Sequence, residues 1–121
     1  MSFAEIVAEL TAVPMDDPNR WATDGERLAG LWSMLAEQVD SILTQVAANS
    51  FCIAQEWDHR VDCLVRLPDG KIAGEMVSLK DLTEERLRQT GERLRRRAAG
   101  DDVELVNALW GPIRIERSAQ F

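Results

Sequence analysis

The sequence has few of the residues from which enzyme active sites are usually built. It contains no tyrosine, a single histidine (His59) and two cysteines, Cys52 and Cys63. One histidine and two scattered cysteines do not supply the four ligands of a typical zinc site, and no serine or cysteine is placed as a nucleophile beside His59. None of the seven glycines belongs to a phosphate-binding motif. These absences predict a non-catalytic protein that uses no cofactor.

Signals for membrane insertion or export are also missing. No apolar run approaches the roughly 18 residues that cross a bilayer, and the first residues lack the basic and apolar regions of a signal peptide. If residues 58–59 form a hairpin turn, Cys52 lies opposite Arg66 and Cys63 lies opposite Gln55, on different faces of the sheet. Thiols placed in this way do not pair, and free thiols are typical of a reducing compartment. We therefore expect a cytoplasmic protein without membrane contact.

Negative charge dominates the chain and is concentrated in its first two thirds. The formal net charge is −7; residues 1–79 hold 13 acids and 5 bases, whereas residues 80–121 hold 8 acids and 9 bases. An acidic body lacks the positive field that attracts phosphate backbones, so nucleic acid is not the expected partner. The charge favours a basic protein surface instead. With 121 residues, 45% of them hydrophobic, the chain fits one domain over residues 1–121.

Two helices are predicted before the first strand. The sequence Ser2-Phe3-Ala4-Glu5 is a capping box that opens a short helix, and a polar loop follows over residues 13–23. A second capping box, Thr23-Asp24-Gly25-Glu26, opens the longest helix, over residues 24–48.

This long helix carries an apolar stripe at unbroken helical spacing. The stripe consists of Leu28, Leu31, Trp32, Leu35, Val39, Ile42, Leu43 and Val46. It indicates a helix that faces the core, or the seam of a homodimer through the 24–48 helix. Gly30 and Met34 lie off the stripe and could mark a second contact.

Three strands are predicted next, separated by turn signals at residues 58–59 and 68–71. The face expected to cover the core consists of Phe51, Ile53, Gln55, Trp57, Val61, Cys63, Val65, Leu67, Ile72, Gly74 and Met76. A third helix, capped by Asp81, is predicted over residues 81–98, with Gly91 allowing close packing.

The sequence does not predict a single secondary structure for the C-terminal part. Residues 103–110 fit a strand or a short helix, and Ile113 and Ile115 predict a last strand. The predicted fold class is α+β in the order α-α-β-β-β-α-β(-β). It is an antiparallel sheet, a three-strand meander plus one or two C-terminal strands, with helices packed on one face.

Arginines crowd the third predicted helix. Arg86, Arg93 and Arg97 fall on one line beside its apolar stripe, and none of them has an acid at helical pairing distance. They therefore meet acids elsewhere in this acidic chain, or they face an acidic partner, nucleic acid or phosphate. No aromatic residue interleaves with them, which disfavours nucleic acid.

Three carboxylates are expected together on the sheet face away from the core. With the predicted turns, Glu56 lies across from Asp62, and Glu75 lies one strand further. Such a cluster repels itself unless a cation or an arginine intervenes. It predicts a solvated acidic patch that suits a basic partner, or a site of oxygen ligands for Mg²⁺ or Mn²⁺. One class of metal nuclease carries a lysine two residues after the acid that corresponds to Glu75. In this chain Val77 occupies that position.

The four tryptophans divide into two pairs. Trp32 and Trp57 lie on predicted core faces and are expected to be packing anchors. Trp21 and Trp110 lie in predicted irregular segments. Because exposed tryptophan is enriched in binding hot spots, these two are candidate partner contacts.

The sequence thus predicts a small acidic non-catalytic protein-binding module of the inhibitor, immunity protein, chaperone or adaptor type. Its binding surface would be the acidic sheet face, or the arginine edge with a nearby tryptophan. Two alternatives remain open: a metal-dependent enzyme that uses Glu56, Asp62 and Glu75, and a nucleic-acid-binding accessory that acts through the arginine-rich helix.

Overall fold

A computed structural model describes the backbone of residues 1–13, 18–100 and 114–117, and the side chains of residues 1–13 and 23–100. Its elements are α1 (Phe3–Thr11), α2 (Pro18–Val46), β1 (Ser50–Gln55), β2 (Arg60–Arg66), β3 (Lys71–Ser78), α3 (Glu84–Ala98) and β4 (Arg114–Arg117). The predicted α+β class and the order α-α-β-β-β-α are confirmed, with β4 as a C-terminal strand. The alternatives for residues 103–110 lie outside the described residues.

The first helix begins at the predicted capping box. Ser2 Oγ accepts a hydrogen bond from Glu5 N at 3.2 Å, and Ser2 N donates to Glu5 Oε1 at 3.2 Å. The two bonds satisfy the backbone N–H groups of Ser2 and Glu5, which have no intrahelical acceptor in the first turn.

The second helix begins earlier than predicted. It runs from Pro18, so the predicted loop over residues 13–23 is wrong from Pro18 onward, and it ends at Val46 rather than at residue 48. Proline suits the first position of a helix because that position needs no N–H donor. Asp24, with φ −114° and ψ 18°, interrupts the helical backbone. The sequence at residues 23–26 therefore marks a kink inside α2 instead of its start.

The apolar stripe of α2 is core within this one chain. Its members from Leu28 to Leu43 are buried, and they pack with α1, α3 and one face of the sheet. The members of this cluster on the other elements include Phe3, Ile6, Leu10, Val61, Cys63, Val65, Ala73, Val77, Leu87 and Leu94. A homodimer through the stripe would have to displace these contacts. On α2, Gly30 and Met34 remain exposed.

The four strands form one antiparallel sheet in the order β1-β2-β3-β4. In the first pair Cys52 lies opposite Cys63, and in the second pair Cys63 lies opposite Glu75. The predicted register between β1 and β2 is therefore wrong: Cys52 does not face Arg66, and Cys63 does not face Gln55. The connection between β1 and β2 is a 3-10 turn, Glu56–Asp58, followed by His59 with φ +46°, and this is longer than a two-residue turn.

The corrected register exchanges the faces of two strands. The inner face, which packs on the helices, carries Ser50, Cys52, Ala54, Val61, Cys63, Val65, Ala73, Glu75 and Val77. The outer face carries Phe51, Ile53, Gln55, Arg60, Asp62, Leu64, Arg66, Ile72, Gly74 and Met76. The core face was correctly predicted for β2 and wrongly for β1 and β3, because a slip by an odd number of residues turns a strand over.

The third helix begins at Glu84 instead of residue 81. A 3-10 turn occupies Leu79–Asp81, and the cap is Thr83, whose Oγ1 accepts a hydrogen bond from Arg86 N at 3.1 Å. The predicted close approach at Gly91 is confirmed. A Cβ added there would lie 3.1 Å from Val46 Cβ, so glycine lets α3 pack tightly on α2.

Candidate functional site

The outer face of the sheet is the surface on which this fold presents apolar side chains. Phe51 and Ile53 are half-buried on β1, and Met76 on β3 is 50% exposed. The helices pack on the opposite face, so these side chains take no part in the inner cluster. At the centre of this face Leu64 and Ile72 are only 1% and 0% exposed, so the accessible apolar side chains lie at its margin.

Trp57 lies at the hairpin end of this sheet, in the turn between β1 and β2. Its side chain is 70% exposed, so the prediction that Trp57 packs in the core is wrong. The 3-10 turn takes residues 56–58 out of the strand, and the strand alternation no longer governs them. The neighbours Glu56 and Asp58 were the available signal, since a tryptophan between two acids is poorly suited to a core.

Towards the middle of the outer face the apolar side chains Leu64 and Ile72 are buried. Leu64 crosses over Gly74, where an added Cβ would clash with Leu64 Cδ2. The guanidinium of Arg66 stacks over the ring of Phe51, with its carbon 5.4 Å from the ring centroid. Gly74 thus gives Leu64 the room to pack against the sheet, and the stacking places Arg66 beside Phe51.

A small polar cluster borders the outer face near Trp57. Gln55 Nε2 donates to Asp62 Oδ2 at 3.3 Å, and Arg60 Nε lies 3.3 Å from Asp62 Oδ1. Arg60 Nη1 also lies 3.4 Å from Asp58 Oδ2, on an exposed carboxylate. The buried charge of Asp62 is therefore balanced by Arg60, while Asp58 keeps negative charge at the rim.

The three carboxylates that were expected together are separated. Glu75 lies on the inner face, Asp62 lies on the outer face opposite Ile53 and Met76, and Glu56 belongs to the 3-10 turn. The predicted cluster is thus wrong in its geometry. Among residues 1–13 and 23–100, no group of three or more His, Cys, Asp or Glu side chains is arranged to hold a metal ion.

Glu75 instead meets an arginine of the predicted line. Arg93 Nε donates to Glu75 Oε2 at 2.5 Å, its Nη2 bonds Glu75 Oε1, and Nη2 also donates to Thr90 Oγ1 at 3.1 Å. Both charged side chains are nearly inaccessible, at 2% for Arg93 and 7% for Glu75. The intramolecular alternative therefore holds for Arg93, and this bidentate pair ties α3 to β3 beneath the sheet.

The other two arginines of that line differ from Arg93. Arg86 and Arg97 are partly exposed, and in the described part of the chain neither lies within ion-pair distance of an acid. Their Nε atoms are buried without a hydrogen-bond partner there. Arg97 also lines a shallow depression of about 310 Å³ beside the Leu67–Asp69 turn. The arginine edge is thus interrupted at its centre, where Arg93 turns inward.

The remaining arginines of α3 are engaged locally. Arg88 pairs with Glu84 at 3.5 Å, and Arg96 Nε lies 3.6 Å from Glu92 Oε1. Arg95 also bonds Glu92, and this bond is the main reason that the pKa of Glu92 falls below its usual value. Each of these exposed pairs adds only about 0.3–0.5 kcal/mol to the stability of the protein. They leave α3 without a continuous row of free positive charge.

His59 was expected to be a polar turn residue, and it closes the hairpin connection. Its ring lies 6.3 Å from the ring of Trp32, and its carbonyl oxygen accepts a hydrogen bond from Leu79 N at 2.8 Å. Burial lowers the pKa of His59. Asp58, Thr11 and Ser78 join it around a cavity of about 300 Å³. The arrangement is structural, since it joins the hairpin end to α2 and to the segment after β3.

The two tryptophan candidates are not tested by these contacts. Trp110 lies outside the described residues, and for Trp21 only the backbone, within α2, is described. Trp57, which the sequence had assigned to the core, takes their place as an exposed aromatic on described structure.

Comparisons with known proteins do not extend this description. No family model matches the chain, and neither a search of curated proteins nor one of solved structures gives a significant match. In the described segments, none of the helices combines the length and the apolar character needed to span a membrane.

Proposed function

We propose that this chain is a non-catalytic protein-binding module whose partner docks at the exposed margin of the outer sheet face, with Trp57 and Met76 as its main contacts. The observation that carries the proposal is the 70% exposure of Trp57 at the hairpin end of the sheet, with Met76 50% exposed at the margin of the outer face. Exposed tryptophan and methionine are enriched at protein interfaces, where they supply large apolar contact areas.

The charge around this face specifies the chemistry of the partner. The chain carries a net charge of −7, and the exposed Asp58 lies next to Trp57. A partner with an apolar patch bordered by lysine or arginine would complement both features. Inhibitors, immunity proteins, chaperones and adaptors act through surfaces of this kind, so the proposal stays with that group of functions.

The test compares what the wild-type protein and two variants capture from native lysate, with and without nuclease. Trp57→Ala combined with Met76→Ser should lose the specific partner without changing the melting temperature, because both side chains are exposed. Met34→Ser is the matched control, since Met34 is also exposed, at 38%, but lies on α2.

The proposal requires that the control retain every protein that the double variant loses. Equal capture by all three proteins would contradict it. Proteins that disappear after nuclease treatment would favour the nucleic-acid alternative through Arg86 and Arg97, two arginines of α3 that have no acidic partner among the described residues.

The cytoplasmic location belongs to this proposal as well. It was inferred partly from cysteines on different faces of the sheet, and that premise fails because Cys52 and Cys63 face each other. The low cysteine content still favours a reducing compartment. Trapping the two thiols with an alkylating reagent in intact cells would show their redox state and so test the location.

A further inference from the structure

Cys52 and Cys63 lie directly opposite each other on neighbouring antiparallel strands, and both are free thiols. Both side chains belong to the inner face, where Cys63 is fully buried and Cys52 is half-buried. Opposed residues of an antiparallel pair project to the same side of the sheet, so the two sulfur atoms are neighbours.

The hydrogen bonds show which kind of pair they form. Cys52 N donates to Asp40 Oδ1 at 2.8 Å, so this N–H points at α2 and away from β2. Three positions further, Arg66 N donates to Asn49 O at 3.3 Å, which marks residues 49 and 66 as a hydrogen-bonded pair. Because the two kinds of pair alternate along antiparallel strands, Cys52 and Cys63 form a non-hydrogen-bonded pair.

Non-hydrogen-bonded pairs bring the two backbones closest together. Their Cα atoms are about 4.5 Å apart, which falls within the span of about 4.4–6.8 Å that a disulfide bridges. Neither strand has to shift its register to join the sulfur atoms. We propose that Cys52 and Cys63 are a modification site, at which a hydroperoxide or a small disulfide oxidises the pair to a cross-strand disulfide.

With a hydroperoxide the reaction has two steps. The Cys52 sulfur attacks one peroxide oxygen, the O–O bond breaks, and Cys52 becomes a sulfenic acid while water or an alcohol leaves. The Cys63 sulfur then attacks the Cys52 sulfur, the S–O bond breaks, and water leaves with the thiol proton. The pair loses two electrons and two protons, and the hydroperoxide takes them up.

Cys52 is the thiol that reacts first, because it is the more accessible of the two. Its Sγ lies 3.5 Å from the carbonyl oxygen of Ala36, under α2. Burial, with the carboxylate of Asp40 nearby, raises the pKa of Cys52; burial, with that of Glu75 nearby, raises the pKa of Cys63. The reactive thiolate is therefore scarce in the closed fold, and the oxidation is slow.

The test uses the purified full chain in its reduced form. It is incubated with hydrogen peroxide or oxidised glutathione under native conditions, then denatured and alkylated, and its intact mass is measured. We expect the loss of both alkylatable thiols and of two hydrogen atoms, in a monomer whose peptide map links Cys52 to Cys63. Dithiothreitol should restore both thiols.

A matched variant separates native geometry from oxidation in the unfolded chain. Cys52→Ser combined with Ala54→Cys moves the thiol two residues along the same face, where it lies opposite Val61 instead of Cys63. In concentrated urea both proteins should close their disulfide at similar rates, since the loops are of similar length. Under native conditions the wild-type protein should close its disulfide faster than the shifted variant.

Two results would overturn the proposal. One is a wild-type protein that keeps two alkylatable thiols under native conditions while the same oxidant closes the disulfide in urea. The other is a shifted variant that closes as fast as the wild-type protein under native conditions, because the bond would then form without the opposed register.

Discussion

At the scale of single residues, Arg93 and Glu75 form a buried ion pair, in which each charge needs the other as its partner. Two charges have been removed from water, and each depends on the other, with Thr90 as an additional acceptor for Arg93. Such a pair adds little net stability, but the separation of its members leaves a buried charge without compensation. The pair therefore acts on specificity, because it fixes how α3 sits over β3.

Arg93→Glu should lower the free energy of unfolding by about 3–5 kcal/mol, because it places two carboxylates against each other in the interior. Arg88→Glu is the matched control, since Arg88 lies on the exposed side of the same helix. It should change the free energy by no more than about 0.5 kcal/mol. Urea unfolding measures both values, and equal midpoints for the two variants would show that Arg93 is not buried against Glu75.

His59 should make stability depend on pH. Its pKa is lower in the folded state because burial disfavours the charged ring. Between that folded pKa and the unfolded value of about 6.5, the unfolded chain binds a proton that the native protein does not. This contribution to stability is present above about pH 6.5 and is lost as the pH falls towards the folded pKa.

His59→Asn isolates this effect, because asparagine tolerates the left-handed backbone that His59 adopts. The wild-type protein should lose more stability than the variant when the pH is lowered from about 7 to about 5. Thermal unfolding at the two pH values gives the comparison. Parallel losses in both proteins would assign the dependence to carboxylates.

At the scale of elements, the sequence predicted which elements form better than how they pair. Periodicity located the helices and strands because each signal lies within a few neighbouring residues, as in the stripe of α2 and the capping box at Ser2. Register depends on the length of each connection, and two turns were misjudged. The 3-10 turn Glu56–Asp58 lengthens the first connection, and in the second Leu67 N donates to Lys71 O, which leaves a three-residue turn.

These two turns decide where the candidate site lies. Because both slips change which face β1 and β3 present, they move Glu75 inward, Met76 outward and Cys52 next to Cys63. Trp57 leaves the strand altogether. The sequence analysis thus identified residues that could form a site. Which of them lie together depends on the geometry of the two turns, and a single sequence does not specify that geometry.

Leu35→Ala tests the packing of α2 against the sheet and the other helices. Leu35 is fully buried, so the variant should lose about 2–5 kcal/mol of unfolding free energy through lost burial and a residual cavity. The neighbouring Met34→Ala removes a side chain of similar size from the exposed side of the helix and should cost less than about 0.5 kcal/mol. If the two variants unfolded at the same urea concentration, the core assignment of the stripe would be wrong.

At the scale of the whole molecule, β1 forms one edge of the sheet, and a residue of α2 caps a backbone group of this edge. An edge strand offers unpaired backbone groups to other chains, and proteins blunt such edges with charge or by covering them. Asp40 does both, because its carboxylate accepts the outward N–H of Cys52 and adds negative charge at the edge.

Asp40→Ala should therefore promote self-association through β1. Glu37→Ala removes the same charge from an exposed position on the same helix, so it controls for the change in net charge. Sedimentation velocity over a range of concentrations should show larger species for Asp40→Ala only. Identical profiles for the two variants would mean that Asp40 does not protect the edge.

The strand order has a consequence for the speed of folding. Each of the first three strands pairs with its neighbour in the chain across a short connection. Such hairpins form within about 1–10 μs, because the loop that must close is small. The pairing of β4 with β3 spans all of α3 and costs more loop-closure entropy. The meander is therefore expected to assemble early, with β4 joining a sheet that already exists.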